Sequence, residues 1–302
     1  MYYLVYGFLY LFSLLPIQVL YLISDGIYFL VYRVFGYRKE IVLNNLLVAF
    51  PEKTEAERKQ IARRFYKNFV DNFIEAIKLF SGGQRFASKR FSMPTDVLEE
   101  LHRKGKSCQV HLGHNFNWEL ANVAIPSMTD YKVLAVYMPI RNKALDQVFY
   151  KMRSAGGNIM LPATEMKNAM VPWRNKQYLL GLVADQVPGN PARAYWLNFF
   201  GKPTPFARGP EKGARSTGVA VLFAQIYKPR RGYYVGNFSL ITENAAALPE
   251  GELTRLYVKY LEEVIHEHPE VWLWSHRRWK REWKEEYKEL WIDTEQVNST
   301  IV

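Results

Sequence analysis

The sequence predicts an α/β fold with a largely parallel central sheet flanked by helices, preceded by an N-terminal hydrophobic membrane-anchor helix. Two observations predict it. From about residue 107, apolar strand-like runs alternate with helical periodicity, which is typical of a parallel sheet. Before that, the first 32 residues carry a single charged side chain, Asp25. We therefore divide the 302 residues into an anchor, 1–34, and a single domain, 35–302.

The N-terminal segment contains two apolar runs, residues 2–15 and 17–23, separated by Pro16. A membrane-spanning helix needs roughly 20 mainly apolar residues. Pro16 and Asp25 leave open a kinked span, a shallow hairpin in the membrane, or a hairpin buried in a soluble protein. No Lys or Arg precedes the run, unlike a cleaved signal peptide. Positive charge begins at Arg33, which places the rest of the protein in the cytoplasm.

A long amphipathic helix follows the anchor. Thr54 and Glu57 have the spacing of a capping box, and apolar residues then recur every four positions from Ile61 to Ile77. Gly82 and Gly83 predict the end of this helix.

The remaining elements alternate. Predicted strands are 107–112, 132–138, 178–184, 219–227 and 233–241, and predicted helices lie near 118–125, 143–155, 164–174, 210–217 and 251–267. A Pro- and Gly-rich loop is predicted between 187 and 210. Sites in parallel sheets collect at the carboxyl ends of strands, and both His114 and Asp185 follow a predicted strand.

His114 and Glu119 combine a general base with a carboxylate. On one helix, five residues turn about 500°, so the two side chains would diverge by roughly 140°. They converge more easily if His114 lies in the turn and Glu119 begins the next helix. His111, at the inner end of the strand, is expected to be structural. Cys108 is the alternative nucleophile, but its position within a strand favours a small buried hydrophobic residue.

Composition points to anionic partners. The formal charge is +11 and the pI is near 9.5, which suits phospholipid headgroups, acidic proteins, phosphorylated substrates or nucleic acid. A single cysteine excludes an intrachain disulfide and a multi-cysteine metal site. Five of the eight tryptophans lie between Trp272 and Trp291, beside Arg277 and Arg278. This cluster is open to three interpretations: a membrane interface, stacking on nucleic-acid bases, or an amphipathic C-terminal helix packed on the sheet.

Several motifs in order resemble the bacterial lipid A biosynthesis acyltransferases of the lauroyl- or myristoyl-transferring type, within the lysophospholipid-acyltransferase-like superfamily. The resemblance covers nearly the whole chain. Besides the apolar N-terminus, the motifs are Asn44-Asn45-Leu46, Phe50-Pro51, His114-x4-Glu119, Val136-Tyr137-Met138-Pro139, Asn142, Asp146, Arg153, Asp185-Gln186, Phe199-Phe200-Gly201 and His276-Arg277-Arg278-Trp279-Lys280.

This resemblance implies transfer of a fatty acyl chain from acyl carrier protein to a hydroxyl of a lipid A precursor, at the cytoplasmic face of the inner membrane. It implies one acyltransferase domain with a mixed, largely parallel sheet similar to that of glycerol-3-phosphate acyltransferase. The implied partners are acyl carrier protein, the lipid A precursor and membrane phospholipids, with no nucleic acid. No cofactor or metal is implied beyond the phosphopantetheine of the donor.

The resemblance also implies site residues. His114 matches the general base and Glu119 its catalytic partner. Arg153 is expected to bind a substrate phosphate or to pair with Asp185 or Glu119, and Asp185 to orient a basic group or the acceptor, or to cap a loop. Three further residues are expected in supporting or substrate-binding roles: Gln186, Arg277 and Arg278.

Two residues depart from the family pattern: Phe116 replaces a glycine of the histidine motif, and Met138 replaces an arginine between Tyr137 and Pro139. The identity of the acyl chain and acceptor is therefore left open.

Three other functions are considered. The same fold could act on an amino-acid lipid or a glycolipid. A membrane-anchored nucleic-acid-binding protein is suggested by charge and aromatics, although the sequence carries no nucleic-acid motif. A metal-dependent hydrolase would use His111, His114, Glu119 and Asp185, but lacks the helical His-Glu-x-x-His spacing.

Overall fold

A seven-stranded sheet lies at the centre of the computed structural model, which describes residues 1–293. Along the sheet the order is β1-β9-β8-β2-β5-β3-β4, and every neighbouring pair is parallel except β8 with β9. The strands are β1 (Phe91–Ser92), β2 (Cys108–Leu112), β3 (Lys132–Tyr137), β4 (Ile159–Pro162), β5 (Tyr178–Val183), β8 (Ala220–Arg230) and β9 (Tyr233–Thr242). The predicted α/β class with a mixed, largely parallel sheet is confirmed.

The predicted loop at 187–210 is wrong in part, because it contains a separate antiparallel pair, β6 (Ala194–Phe199) and β7 (Lys202–Ala207). Pro203 and Pro205 lie within β7, and these prolines are the reason that a loop was predicted for this segment. Proline cannot donate to a sheet ladder, but a strand with one free edge tolerates it.

Helices cover both faces of the sheet. They are α1 (Tyr2–Ser13), α2 (Ile17–Tyr28), α3 (Lys39–Ala49), α4 (Glu55–Ser88), α5 (Asp96–Arg103), α6 (Trp118–Ala124), α7 (Lys143–Arg153), α8 (Met166–Ala169), α9 (Gly209–Thr217) and α10 (Glu252–Glu267). The capping box of α4 is confirmed: Thr54 N–H donates to Glu57 Oε2 at 2.7 Å, and Glu57 N–H donates to Thr54 Oγ1 at 3.3 Å. The continuous helical backbone is interrupted where the two glycines predicted its end: Gly83, at φ 48° and ψ −146°, is not helical, and a second short helical segment continues beyond this kink to Ser88.

The N-terminal helices pack on α4. A π-helical turn, Phe29–Val34, extends α2. Within residues 1–293, Ile17–Val34 is the helical segment that is long and apolar enough to cross a membrane by length and composition. The side of α2 toward α4 combines apolar packing, in which Leu20 contacts the cluster of Val70 and Ile74, with polar contacts. Tyr21 OH donates to Glu75 at 2.8 Å, and Ser24 Oγ donates to Asp71 at 2.8 Å.

Asp71 is fully buried between these helices and the β8–β9 turn. Its carboxylate lies 3.0 Å from Lys228 Nζ and 2.7 Å from Arg231 Nη2. Burial would raise the pKa of Asp71, but hydrogen bonds and charge from Arg231 and Lys228 lower it below its ordinary value. The carboxylate is therefore charged and compensated on both sides.

We expect Asp71→Ala to destabilise the protein by about 3–5 kcal/mol, because it removes a fully buried carboxylate and takes the ion-pair partner from Lys228, whose side chain is only 9% exposed. The matched control is Asp25→Ala, which removes a 44% exposed partner of the same Arg231 and should cost under about 1 kcal/mol. Chemical denaturation in detergent measures both. Equal losses for the two variants would contradict this view of the ion cluster.

The C-terminal segment is not a helix like α10. Residues 268–293 contain two 3-10 segments, Pro269–Val271 and Glu285–Leu290. Trp272 and Trp274 are 1% and 0% exposed, so the membrane-interface and base-stacking interpretations are wrong for these two side chains.

Arg278 lies in the protein interior, although the charge pattern of the sequence suggested a surface position. It is fully buried, donates from Nη2 to the Pro205 carbonyl at 2.9 Å, and lies 4.2 Å from the Phe206 ring centroid. Burial lowers its pKa to about 10. A buried Arg278 is placed for the supporting role and not for direct contact with headgroups or carrier protein, whereas Arg277 is exposed.

Candidate active site

The register of two neighbouring strands brings His114 and Asp185 together. In the parallel β2–β5 pair, Leu112 lies opposite Val183, and Ala184 N–H continues the ladder to the Leu112 carbonyl at 3.1 Å. His114 and Asp185 each lie two residues beyond that pair. They therefore leave the sheet at the same level, at the carboxyl ends of adjacent strands.

The two side chains form a direct contact. His114 Nδ1 lies within hydrogen-bond distance of Asp185 Oδ1, and the His114 backbone N–H donates to Asp185 Oδ2 at 2.8 Å. Trp272 Nε1–H donates to the same Oδ2 at 2.7 Å. Asp185 is 2% exposed and is thus held by three donors away from solvent.

The surroundings of Asp185 determine its charge and the histidine tautomer. Burial would raise the pKa of Asp185, but the His114 ring and backbone N–H and the Trp272 indole lower it to about 2. A carboxylate can only accept, so the neutral imidazole carries its proton on Nδ1. The lone pair of His114 Nε2 then accepts the Gln186 side-chain N–H at 2.9 Å. This is the tautomer that a general base requires.

Gly113 allows the close approach of the turn to Asp185. A Cβ at this position would lie 2.7 Å from Leu261 Cδ1 and 3.2 Å from Asp185 Oδ2. Any larger residue would therefore push the turn away from the carboxylate.

The predicted pairing of Glu119 with the His114 ring is wrong. Glu119 instead accepts from Arg153: Arg153 Nε lies 3.0 Å from Oε1 and 2.9 Å from Oε2. The reason is local, because Asn117 caps α6 by accepting the Leu120 N–H at 3.1 Å. Glu119 is then the second residue of α6 and contacts α7, one of the pairings that the sequence left open for Arg153.

His111 and Cys108 lie apart from this site. His111 is 2% exposed and its Nε2 lies 3.1 Å from the Gln109 side-chain amide; burial lowers its pKa to about 4. Cys108 is fully buried, with Sγ 3.2 Å from Tyr131 OH, and burial raises its thiol pKa to about 11.

We therefore expect Cys108→Ala to retain activity within about twofold, because a thiol with so high a pKa supplies little thiolate at neutral pH. Maleimide should modify the native protein far more slowly than the denatured protein. Loss of activity in a folded Cys108→Ala protein, or rapid inactivation by maleimide, would restore the acyl-cysteine alternative.

Backbone donors of the histidine turn are already used. His114 N–H donates to Asp185, Asn115 N–H to the Gly113 carbonyl at 2.8 Å, and Phe116 N–H to the Val271 carbonyl at 2.9 Å. An oxyanion formed beside His114 must therefore use other donors.

Three supporting residues were missed by the sequence analysis: Trp272, Asn117 and Glu75. Glu75 is fully buried and accepts from Asn117 Nδ2 at 2.9 Å and from Tyr234 OH at 2.6 Å. Burial raises the pKa of Glu75. The polar residue within an apolar helical stretch was the available signal for Glu75, and the tryptophan cluster was the signal for Trp272.

Phe116, the departure inside the histidine motif, is fully buried. Its ring centroid lies 5.9 Å from that of Phe65 and 5.8 Å from that of Trp118. It fills the core beneath the turn and does not line the cavity described next.

A cavity of about 1100 Å³ opens at His114. His114, Glu119, Arg153 and Gln186 supply polar groups to its wall. The remainder is mainly apolar, including Leu134, Val136, Met166, Met170, Leu180 and Leu182. Such a cavity suits a hydrocarbon chain, since each buried CH₂ contributes about 0.8 kcal/mol.

The set His111, His114, Glu119 and Asp185 does not converge on one point. Within residues 1–293, no group of three or more His, Cys, Asp or Glu side chains is arranged to hold a metal ion.

A family model described as bacterial lipid A biosynthesis acyltransferase matches residues 1–281. A search of curated proteins gave no match.

Proposed function

Since the chain belongs to the bacterial lipid A biosynthesis acyltransferase family, whose members are membrane-associated O-acyltransferases, we propose that it transfers a fatty acyl chain from acyl carrier protein to a hydroxyl of a lipid A precursor. We place this reaction at the cytoplasmic face of the inner membrane. The observation that carries the proposal is the His114–Asp185 pair at the mouth of the apolar cavity.

His114 is the general base of the proposed mechanism. Its Nε2 takes the proton of the acceptor hydroxyl as the oxygen attacks the thioester carbonyl, forming the C–O bond. The ionised Asp185 stabilises the resulting imidazolium. Collapse of the tetrahedral intermediate breaks the C–S bond, and the imidazolium returns its proton to the departing thiolate. The ester, the free thiol and the neutral histidine remain.

Gln186 is placed to assist this step. Its amide lies 2.9 Å from His114 Nε2, where the acceptor hydroxyl must bind. On substrate binding the amide N–H is displaced and can donate to the developing oxyanion, a role that the occupied backbone donors of the turn leave open.

Arg153 and Glu119 form the second polar group of the cavity. The Arg153 side chain is 20% exposed and that of Glu119 8%, so the guanidinium retains access to the cavity. A paired arginine can still bind phosphate through its remaining N–H groups. We assign Arg153 to a phosphate of the donor or acceptor, with Glu119 holding its orientation.

We propose acyl carrier protein as the donor, as the family resemblance implies, and the charge of this chain is compatible with it. The net charge of +11 favours an acidic protein donor through long-range attraction. Exposed Arg277 is available for this contact, unlike buried Arg278.

Mass spectrometry of a defined reaction tests the proposal. Purified protein is mixed with acyl carrier protein carrying one fatty acid and with a lipid A precursor, and parallel reactions use acyl coenzyme A or an amino-acid lipid. We expect a mass increase of one acyl group on the lipid A precursor, faster with the carrier donor. Acylation of only the amino-acid lipid would refute the proposed acceptor, and equal rates with both donors would refute the carrier preference.

A further inference from the structure

Exposed apolar side chains are concentrated in the N-terminal helices. Of the 22 large hydrophobic residues that are exposed among the described residues, 15 lie between Met1 and Tyr37. Examples are Leu4 at 79%, Phe8 at 69%, Leu22 at 73% and Phe35 at 76% exposed. We call this surface, formed by the outer sides of α1, α2 and the turn Phe29–Val34, the apolar N-terminal face.

The opposite side of the same helices is bound to the domain along its length. The α1–α2 junction receives Lys78 Nζ, which donates to the Ser13 and Leu15 carbonyls at 2.7 and 2.9 Å. Farther along α2, Tyr21 contacts Glu75.

As the residue numbers increase along α2, the residue numbers of its contacts on α4 decrease. Ser24 contacts Asp71, and the Tyr32 ring lies 5.1 Å from that of Tyr66. Helix α2 therefore runs antiparallel to α4, without separating from it.

The middle of the apolar segment is held by charge. Asp25 lies at the centre of Ile17–Val34, and its Oδ1 is 2.8 Å from Arg231 Nη2 and 3.8 Å from Lys67 Nζ. Arg231 belongs to the β8–β9 turn and also binds the buried Asp71. If Ile17–Val34 crossed a bilayer in this fold, these four charged groups would lie near its hydrocarbon centre.

Such an arrangement is strongly unfavourable. Each Asp, Lys or Arg at the centre of a membrane helix costs about 2.5–3.5 kcal/mol even on the most permissive insertion scale. Neighbouring Arg63 and Arg64 on α4 are also exposed and would be carried into the membrane with it.

We propose that Ile17–Val34 does not span the membrane and that α1 and α2 instead lie flat on one leaflet of anionic phospholipid. The apolar N-terminal face enters the leaflet, while the opposite side stays packed on α4. Arg33, Arg38 and Lys67, all exposed beside this face, contact the anionic headgroups. This arrangement leaves both ends of the helix pair and the domain on one side of the bilayer.

Labelling from each side of the membrane tests the topology. In a Cys108→Ala background, one cysteine is placed either in a Gly-Ser extension before Met1 or at exposed Glu100 on α5, the matched control in the domain. A membrane-impermeant maleimide is applied to intact spheroplasts and to inverted vesicles. We expect both cysteines to react from the same side. Reaction from opposite sides would overturn the proposal.

Depth measurement separates a flat helix from a re-entrant one. Gly26 is exposed and an added Cβ meets nothing within 4 Å, so Gly26→Cys can carry a fluorophore. In vesicles containing phosphatidylglycerol and depth-specific quenchers, we expect a depth of about 5–10 Å. A depth near the centre, about 15 Å, would overturn the proposal. Both readouts are independent of acyl transfer, so a failed topology and a failed function remain distinguishable.

Discussion

Replacing His114 with alanine is expected to lower the rate of acyl transfer by about 10²–10⁴-fold, the usual contribution of a general base. The acceptor hydroxyl is a weak nucleophile. His114 Nε2, in the cavity wall, can take its proton once the hydroxyl displaces the Gln186 N–H. The rate is measured with purified protein at saturating donor and acceptor.

The control for this variant is exposed His266→Ala, which removes a histidine outside the cavity and should leave the rate unchanged. Because His114 is 16% exposed and lies in a turn, its alanine variant should remain folded and bind vesicles as the parent does. Near-full activity in that folded variant would refute the mechanism.

Asp185→Asn is expected to have an effect of similar size. The asparagine side chain can place an N–H opposite His114 Nδ1, which favours the tautomer with the proton on Nε2. That tautomer cannot accept the hydroxyl proton, and the same change in a Ser-His-Asp triad costs about 10⁴-fold in kcat. We expect kcat to fall while KM changes little.

Glu119→Gln distinguishes the two carboxylates. Glutamine can still accept from Arg153, so the His114 tautomer stays correct and the main effect should be a raised KM through a less well oriented guanidinium. If Glu119→Gln reduced kcat more than Asp185→Asn, the assignment of the two carboxylates would be reversed.

The sequence allowed the ends of the strands to be located, but it did not show which strands lie next to each other in the sheet. Periodicity placed His114 and Asp185 each after a strand. Whether β2 pairs with β5 or with β3 depends on side-chain packing across the whole sheet, which periodicity does not report. Local spacing therefore favours a pair of His114 with Glu119, five residues away, whereas the β2–β5 register pairs His114 with a residue 71 positions distant.

The second feature that could not be predicted from the sequence was which charged side chains are buried. The charge pattern alone made Arg278 resemble a surface residue, although a pocket built from Pro205 and Phe206 encloses it. In the same way, Asp25 seemed only to interrupt an apolar segment. Its partner, Arg231, is 206 residues away, so the attachment of α2 to the domain could not be read from local sequence.

The tautomer of His114 is the most direct test of the site as described. Nitrogen-15 resonances of the histidine rings can be recorded at about pH 8, above the ordinary titration range of imidazole, and His114 is assigned by the signals lost in His114→Ala. We expect a protonated Nδ1 and an unprotonated Nε2 for His114, with that preference lost in Asp185→Asn. A proton on Nε2 in the parent protein would contradict the role of His114 as a base oriented by Asp185.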